Sequence, residues 1–415
     1  MMPISEKPYS GLRDLSNERS RWRDIAGVDF YSLVTRVERA YGTIPKYLPL
    51  MNGRAFPPFV VVLELTYRCN LKCPYCYELF RPADKNVTSK TLELKPAEIQ
   101  SIVEQLPRFT LVTVNGGEIF VRSDLREILS IILAKHRCHL YTNGTCITPA
   151  MARDLVDMGV TSMGISVDGP EEVHDSIRGR GSFGRTIESI RLLMDLKRRL
   201  RKSFPLINLK TTITDKNVGH LSDMVQFAER LGLDYCTFQV LNNSIHMGGV
   251  SFQFSLDYSQ PPPAITDVPL AVLQQQLNKI QELASKSRVR VRILPKLPVP
   301  SILEHYANQL EPSAHTCVSP WTTMYISPTG CVYPCLNYYV GNIREQPFRE
   351  LWNSERYRQY RKRLLRDGQF PDCVGCCDLF EKRRNSSPLF RLNHDRRPAS
   401  DCRFQKSEPT RTIDK

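Results

Sequence analysis

The sequence predicts an α/β protein, a partial (β/α)6 TIM-like barrel followed by a small Cys-rich C-terminal domain. Two observations lead to this fold class. Between residues 59 and 295, apolar β-branched runs alternate with helical segments, which is typical of right-handed β–α–β units and a mainly parallel sheet. From residue 317 to 377, cysteines are frequent and long elements are few, so bound metal would replace a hydrophobic core there.

The elements follow one another regularly along the chain. The predicted strands are 59–65, 111–114, 139–142, 162–167, 206–213, 235–240 and 289–294, and the predicted helices are 96–106, 124–135, 149–158, 183–201, 220–231 and 272–285. Pro96 suits the first turn of its helix, and Gly159 suits a C-terminal cap. About six units, rather than eight, favour a partial barrel with its reactive groups at the C-terminal ends of the strands.

Length, charge and the lack of targeting signals predict the domain organisation, the partners and the location of the protein. We expect an N-terminal extension at 1–58, the barrel at 59–295, the Cys-rich domain at 301–381 and a basic, disordered tail at 382–415. The net charge of +14 fits either a solvated basic surface or an anionic cofactor and substrate. No apolar run has the length of a signal peptide or a membrane span, so we expect a cytoplasmic protein without a membrane partner. The aromatic and basic pattern of an RNA-binding sheet is missing, so nucleic acid is not an expected partner.

Three cysteines follow the first predicted strand, in the order Cys69-Asn-Leu-Lys-Cys73-Pro-Tyr-Cys76. Cys thiolates are the usual ligands of iron–sulfur clusters, and three of them can bind three irons of a [4Fe–4S] cube. The fourth iron then stays open to a small molecule. A zinc knuckle or three buried thiols is the alternative, but zinc normally needs a fourth Cys or His nearby, and no His occurs between Cys76 and His136.

Together with Tyr75 and the later Gly116-Gly117-Glu118, this motif makes residues 59–295 resemble the radical S-adenosylmethionine superfamily. The resemblance implies that Cys69, Cys73 and Cys76 bind a catalytic [4Fe–4S] cluster whose open iron takes the methionyl end of S-adenosylmethionine. It implies further cofactor contacts: Glu118 with Gly116 and Gly117 at the amino group, Tyr75 at the adenine, Asn115 and Ser166 at the ribose or methionyl part, and Arg178 at the carboxylate. A surface carboxylate is the alternative for Glu118, and ordinary turn chemistry is the alternative for Asn115 and Ser166.

The Cys-rich segment is similar to the auxiliary-cluster module called SPASM, or to its shorter form called twitch. The motif consists of Cys317, Gly330, Cys335, Gly341-Asn342-Ile343, Leu351-Trp352-Asn353-Ser354 and Cys373-Val-Gly-Cys376. Only Cys377 and Cys402 follow, which favours a single auxiliary [4Fe–4S] cluster and thus the twitch arrangement. The implied ligands are Cys317, Cys335, Cys373 and Cys376, and Cys331 or Cys377 is the alternative to one of them.

The resemblance also implies an oxidoreductase-type reaction. S-adenosylmethionine would be cleaved reductively to a 5′-deoxyadenosyl radical that takes hydrogen from the substrate, with an external reductant such as flavodoxin or ferredoxin as partner. A four-Cys auxiliary cluster has no open iron, so we expect it to accept the substrate's electron and make the reaction an oxidation.

The expected substrate is a small hydroxylated or amino-bearing metabolite, because residues 1–58 are short for the peptide-recognition domain that peptide maturases often carry. Modification of a peptide or protein side chain, as by peptide maturases and sulfatase-activating enzymes, is one alternative. A non-catalytic iron–sulfur electron carrier is the alternative from another class. No residue can be chosen from the sequence as the group that deprotonates the substrate.

Overall fold

A computed structural model of the protein describes residues 30–76, 92–241, 267–307, 309–310, 314–335, 338–368, 373, 376 and 378–382. Its strands are β1 (Val60–Glu64), β2 (Leu111–Asn115), β3 (Arg137–Thr142), β4 (Ser162–Ser166), β5 (Leu206–Ile213), β6 (Tyr235–Val240), β7 (Arg290–Leu294), β8 (His315–Thr316), β9 (Thr323–Ile326), β10 (Cys331–Tyr333), β11 (Gly341–Asn342) and β12 (Phe380–Glu381). Its helices are α1 (Phe30–Tyr47), α2 (Pro96–Gln105), α3 (Leu125–Leu133), α4 (Pro149–Asp157), α5 (Glu171–Arg178), α6 (Ser182–Arg199), α7 (Leu221–Arg230), α8 (Leu270–Lys286), α9 (Val299–Tyr306), α10 (Ser319–Thr322), α11 (Phe348–Trp352) and α12 (Glu355–Asp367).

Strands β1 to β7 lie side by side in chain order, and each neighbouring pair is parallel. One helix or two lie between consecutive strands, so the six predicted β–α–β connections are confirmed. Side chains alternate between the two faces of each strand. In β2, Val112 and Val114 are fully buried in the core shared with the helices, and Thr113 therefore points to the other face, the interior of the partial barrel.

The Cys-rich segment continues the barrel sheet. Strand β9 pairs in parallel with β1, with Val60 opposite Thr323, and β10 and β11 extend the sheet further. The result is an open ten-stranded sheet in the order β11-β10-β9-β1-β2-β3-β4-β5-β6-β7. The sequence predicts this segment as a separate small domain and gives no sign of the shared sheet.

The predicted N-terminal extension contains helix α1, which contacts both parts of the chain. Its Tyr31 ring packs edge-on against His139 and Tyr235, with centroids 5.9 Å and 4.8 Å away. At its other end, the Lys46 ammonium group donates to Thr316 Oγ1 at 2.6 Å and to the carbonyl oxygen of Cys317 at 2.9 Å. Helix α1 therefore links the barrel strands to the Cys-rich segment.

Two of the sequence predictions concern residues that the structure does not describe. The basic tail beyond residue 382 lies outside the described residues, and so do Cys377 and Cys402. Among the helices that are described, none combines the length and apolar character needed to cross a membrane.

Candidate active site

The loop that carries Cys69, Cys73 and Cys76 follows β1 and lies against the turn after β2. The backbone N–H of Gly117 donates to the carbonyl oxygen of Thr66 at 2.6 Å, and that of Glu118 donates to Arg68 at 2.9 Å. A Cβ on Gly116 would stand 2.4 Å from the Thr66 oxygen, and one on Gly117 would stand 2.3 Å from the Arg68 oxygen. Both glycines are therefore required by the packing of the cysteine loop itself, in addition to any contact with a cofactor.

Glu118 is fully buried, so the alternative of a surface carboxylate is wrong. Its carboxylate accepts hydrogen bonds from Phe120 N at 3.1 Å, Thr142 Oγ1 at 2.7 Å and Asn143 N at 2.8 Å. Burial raises the pKa of this carboxyl group, and the three donors oppose that shift. Glu118 thus ties the end of β3 to the turn after β2.

Asn143, held by Glu118, points its amide at the first cysteine. Its Nδ2 lies 3.8 Å from Sγ of Cys69 and 3.0 Å from Oδ1 of Asn70. Its Oδ1 accepts from the backbone N–H of Thr145 at 2.8 Å, which fixes the side of the amide that faces the sulfur. An N–H group directed at a thiolate is one of the means by which a protein tunes an iron–sulfur cluster.

Arg178 reaches the second cysteine in a similar way. Its Nε donates to Oδ2 of Asp168 at 2.6 Å, and its Nη1 lies 3.9 Å from Sγ of Cys73. Asp168 is fully buried and also accepts from the backbone N–H of Thr212 at 2.9 Å. Burial raises the pKa of the Cys73 thiol, and the nearby Arg178 lowers it. The structure therefore gives Arg178 two protein contacts besides the cofactor contact predicted from the sequence.

Tyr75 lies close to the same group. Its hydroxyl is buried and faces Thr214, but the two hydroxyls do not have hydrogen-bond geometry. Burial and the neighbouring Asp168 raise the pKa of Tyr75, so its phenol stays protonated. Neither hydroxyl has a hydrogen-bond partner among the described residues, so both suit a polar ligand.

The other two predicted contacts, Asn115 and Ser166, are the last residues of the two strands that flank β3. Asn115 is the last residue of β2 and Ser166 the last residue of β4, and both are half-buried. Cys76 is also half-buried, and its backbone N–H donates to the carbonyl oxygen of Cys73. All seven predicted cofactor contacts and the three cysteines therefore lie at or just beyond the C-terminal ends of β1, β2 and β4 or on helix α5.

The second group of cysteines gathers in the Cys-rich segment. Burial and the nearby Asp378 are the main causes that raise the pKa of the Cys317 thiol. Cys373 and Cys335 raise it further, so both lie close to Cys317. The backbone N–H of Cys376 donates to the carbonyl oxygen of Cys373 at 3.1 Å. Cys331 has different neighbours, since its Sγ accepts from Thr329 and Asn342 at 3.6 Å each.

The donor chemistry of both cysteine groups fits iron–sulfur clusters, because Cys73 lies near enough to Cys69 to raise its pKa, as Cys335 and Cys373 do for Cys317. In the part of the chain that is described, no three His, Cys, Asp or Glu side chains come close enough together to hold one metal ion. Tetrahedral zinc requires such close convergence. A [4Fe–4S] cube is larger and spreads its thiolate ligands over its corners.

Sequence reasoning missed Asn143, Asp168 and His174 as site residues. Nδ1 of His174 accepts a hydrogen bond from the backbone N–H of Asp168 at 3.2 Å. Burial lowers the pKa of His174 to about 4, so the neutral imidazole makes this contact and helps to position Asp168. The available signal was position, because Thr142-Asn143-Gly144 and Asp168-Gly169 directly follow predicted strands.

Comparison with known families identifies both parts of the chain. The profile described as the radical SAM superfamily matches residues 63–224, and the profile of the SPASM iron–sulfur cluster-binding domain matches residues 317–377.

Curated relatives match most of the chain. An AdoMet-dependent heme synthase of Methanosarcina barkeri is 30% identical over 339 residues, which is 79% of this chain and 89% of the relative. The mycofactocin maturase MftC of Mycobacterium tuberculosis is 26% identical over 357 residues, which is 82% of this chain and 81% of the relative.

Solved structures share the fold. Streptococcus suis SuiB bound to S-adenosylmethionine has a TM-score of 0.56 at 14% identity, covering 84% of this chain and 76% of SuiB. The anSMEcpe structure with bound AdoMet has a TM-score of 0.51 at 18% identity, covering 72% of this chain and 82% of anSMEcpe.

These matches imply the cofactors of the protein. The first domain binds a [4Fe–4S] cluster and S-adenosylmethionine, and the second binds auxiliary iron–sulfur. The chain is therefore an enzyme of the radical S-adenosylmethionine superfamily that carries a C-terminal SPASM iron–sulfur domain.

Proposed function

We propose that this enzyme oxidises a substrate held inside the partial barrel, with Cys69, Cys73 and Cys76 as ligands of the catalytic cluster. When bound, that cluster supplies the electron that splits S-adenosylmethionine into methionine and a 5′-deoxyadenosyl radical, which removes hydrogen from the substrate. The observation that carries the proposal is the pair of N–H donors, Asn143 and Arg178, directed at Cys69 and Cys73.

The remaining predicted residues act on the nucleotide by position. Tyr75 offers its ring and a buried hydroxyl beside Thr214, and Asn115 and Ser166 offer polar groups at the ends of β2 and β4, the two strands that flank β3. Gly116 and Gly117 leave the backbone after β2 free of side chains, and Glu118 holds it in place. Arg178 has a guanidinium nitrogen, Nη2, beyond the two that meet Asp168 and Cys73, and this nitrogen suits the cofactor carboxylate.

The auxiliary site is proposed to use Cys317, Cys335, Cys373 and Cys376. Electrostatic contact among Cys317, Cys335 and Cys373 supports this set, and the separate hydrogen bonds of Cys331 argue against its replacing one of them. Four thiolates close every iron of a cube, which suits acceptance of an electron rather than substrate binding. We therefore expect net oxidation of the substrate, with flavodoxin or ferredoxin as the external reductant.

The first candidate for the substrate is a tetrapyrrole, because the heme synthase is among the relatives. The heme synthase match spans 89% of that relative, and no small hydroxylated metabolite is named among the relatives reported above. A peptide is the second candidate, because the mycofactocin maturase match covers 81% of its relative. The small metabolite expected from the sequence remains a prediction with less support.

The radical reaction is tested by product analysis. Anaerobically reconstituted protein, reduced with dithionite and given S-adenosylmethionine, is expected to form methionine and 5′-deoxyadenosine. The Cys73→Ala variant should form none, whereas Cys236→Ala should retain the activity, because Cys236 is buried on the helix side of β6 beside Met224. Equal product from Cys73→Ala and wild type would refute the ligand assignment.

A further inference from the structure

A lysine side chain faces the interior of the partial barrel. Lys210 lies in β5 between Leu209 and Thr211, which are fully buried on the helix side, so the pleat turns Lys210 inward. Its Nζ lies 3.3 Å from Oε1 of Gln239 on β6 and 4.4 Å from the ring centroid of Tyr141 on β3. Lys210, Gln239 and Tyr141 are all half-buried, which leaves part of each open to the barrel interior.

A glycine in the strand between them makes room for this group. Gly164 lies in the middle of β4, and a Cβ there would stand 2.7 Å from Cδ1 of Tyr141 and 3.0 Å from Cδ of Lys210. Glycine weakens a strand interior and commonly marks the close approach of another group. The meeting of Tyr141 and Lys210 across β4 therefore depends on the absence of a side chain at position 164.

Within the part of the chain that the structure describes, no acidic side chain pairs with the ammonium group of Lys210. Among the described residues its contacts are the Gln239 amide and the Tyr141 ring, and no carboxylate forms an ion pair with it. Arg292 adds a second positive charge to the same face, where it stacks on Tyr31. Burial is the main cause that lowers the pKa of His139 to about 3, and these two cations add to it. Two cations therefore lie near His139 on the interior face, and the buried carboxylate of Glu64 lies on the same face at the end of β1.

The lysine also lies close to the cysteine site. Across β4 and β5, Lys210 pairs with Ser166, a predicted cofactor contact. Two residues further along β5, the backbone N–H of Thr212 donates to Asp168, which holds Arg178 beside Cys73. Lys210 thus lies two residues before Thr212 along β5, on the side of the Asp168–Arg178 pair that faces into the barrel.

We propose that Lys210 and Gln239 bind a carboxylate group of the substrate. The inference rests on the proposed function, since it places the substrate below the cysteine site. Lys210 supplies a single charge and further N–H donors, and Gln239, whose Oε1 accepts from Lys210, has two Nε2 donors for the same ligand. A singly charged carboxylate matches one ammonium group and one amide.

The test compares two probes that differ in carboxylate charge. Ferric heme carries propionate carboxylates, and heme dimethyl ester carries neutral esters in their place. Binding of each probe to anaerobic holoenzyme with S-adenosylmethionine is measured by isothermal titration calorimetry. The variants are Lys210→Met, Gln239→Glu and, as the matched control, Lys202→Met, which removes an exposed lysine after α6.

Wild type and Lys202→Met are expected to bind heme about tenfold more tightly than the ester, which is roughly 1.4 kcal/mol. Lys210→Met should lose this preference. Gln239→Glu should lose the preference for heme too, because the new carboxylate neutralises the charge of Lys210. The packing of Lys210 on Tyr141 remains in this variant. A role in packing alone would leave the preference intact in Gln239→Glu.

The proposal is overturned if Lys210→Met keeps the wild-type preference, if wild type does not distinguish the probes, or if it binds neither. Such a failure is separate from failure of the proposed function, which would appear as absence of 5′-deoxyadenosine from the wild-type enzyme.

Discussion

The guanidinium group of Arg178 lies 3.9 Å from Sγ of Cys73 and is held there by the buried carboxylate of Asp168. A parallel arrangement occurs at Cys69, where Asn143 is held by the buried Glu118. In each case a carboxylate without solvent contact positions an N–H donor against a cysteine. The two carboxylates follow different strands, β2 and β4, so the sheet sets the geometry of the cysteine loop.

Removal of Asp168 should destabilise the protein strongly. The Asp168→Ala change leaves Arg178, which is 13% exposed, without its partner, and breaking a buried ion pair costs about 3–5 kcal/mol. The matched control is Asp157→Ala, which removes an exposed partner of Arg153 on α4 and should cost less than about 1 kcal/mol. Denaturant unfolding measures both values, and similar losses in the two variants would contradict the structural role of Asp168.

Replacement of Asn143 should change the redox properties of the catalytic cluster. Asn143→Ala removes the N–H donor directed at Cys69, so the cluster is expected to become harder to reduce and its midpoint potential more negative. Asn143→Asp places an anionic acceptor near the same sulfur and should shift the potential further in the same direction. A redox titration followed by electron paramagnetic resonance measures the shift. An unchanged potential in both variants would show that Asn143 has no effect on the cluster.

Gly117 should tolerate no side chain. The added methyl group of Gly117→Ala would stand 2.3 Å from the Arg68 carbonyl oxygen, so the cysteine loop must move, at a cost of about 1–3 kcal/mol. We expect lower thermal stability and less iron bound per chain.

The control for this change is Gly184→Ala in α6, where nothing lies within 4 Å of the new Cβ. Alanine is the better helix former, so this variant should gain roughly 0.5–1 kcal/mol. Equal thermal unfolding and iron content for Gly117→Ala and wild type would refute the packing role of Gly117.

His305 should make stability depend on pH. Burial lowers its pKa to about 4, and its Nε2 lies 3.1 Å from the carbonyl oxygen of Leu241. Because the unfolded chain protonates this histidine near pH 6.5, its contribution to stability is present above that pH and is lost as pH falls toward 4. Between pH 7.5 and 5.5 the loss from this residue is roughly 1.4 kcal/mol.

The His305→Gln variant isolates this contribution. Glutamine can still donate to the Leu241 carbonyl oxygen but does not titrate, so the variant should lose less stability than wild type over the same pH interval. Unfolding at both pH values gives the difference, and identical losses would show that His305 titrates normally.

The parallel sheet was predictable because periodicity is local. The runs at 206–213 and 235–240 match β5 and β6 in full, since both strands are buried and bounded by turn residues. Helix α5 was missed because it has only eight residues, too few for its apolar period to be told from the turn at Asp168-Gly169-Pro170 that it follows. The pairing of β9 with β1 joins residues more than 250 positions apart, and no local pattern encodes it.

The candidate site was predictable where the chemistry is contiguous in sequence, as in Cys69–Cys76 and Gly116–Glu118. The partners of Glu118 and Arg178 were not, because Asn143 and Asp168 meet them only through the packing of neighbouring strands. For the same reason the approach of Lys210 to Tyr141 across Gly164 became visible only in three dimensions.

The central claim is that the cluster bound by Cys69, Cys73 and Cys76 has an open iron that takes S-adenosylmethionine. Electron paramagnetic resonance of the dithionite-reduced enzyme, recorded with and without S-adenosylmethionine, tests this most directly. We predict a changed spectrum on addition of the nucleotide in wild type, and no change in Cys73→Ala. An identical wild-type spectrum in both samples would contradict the claim.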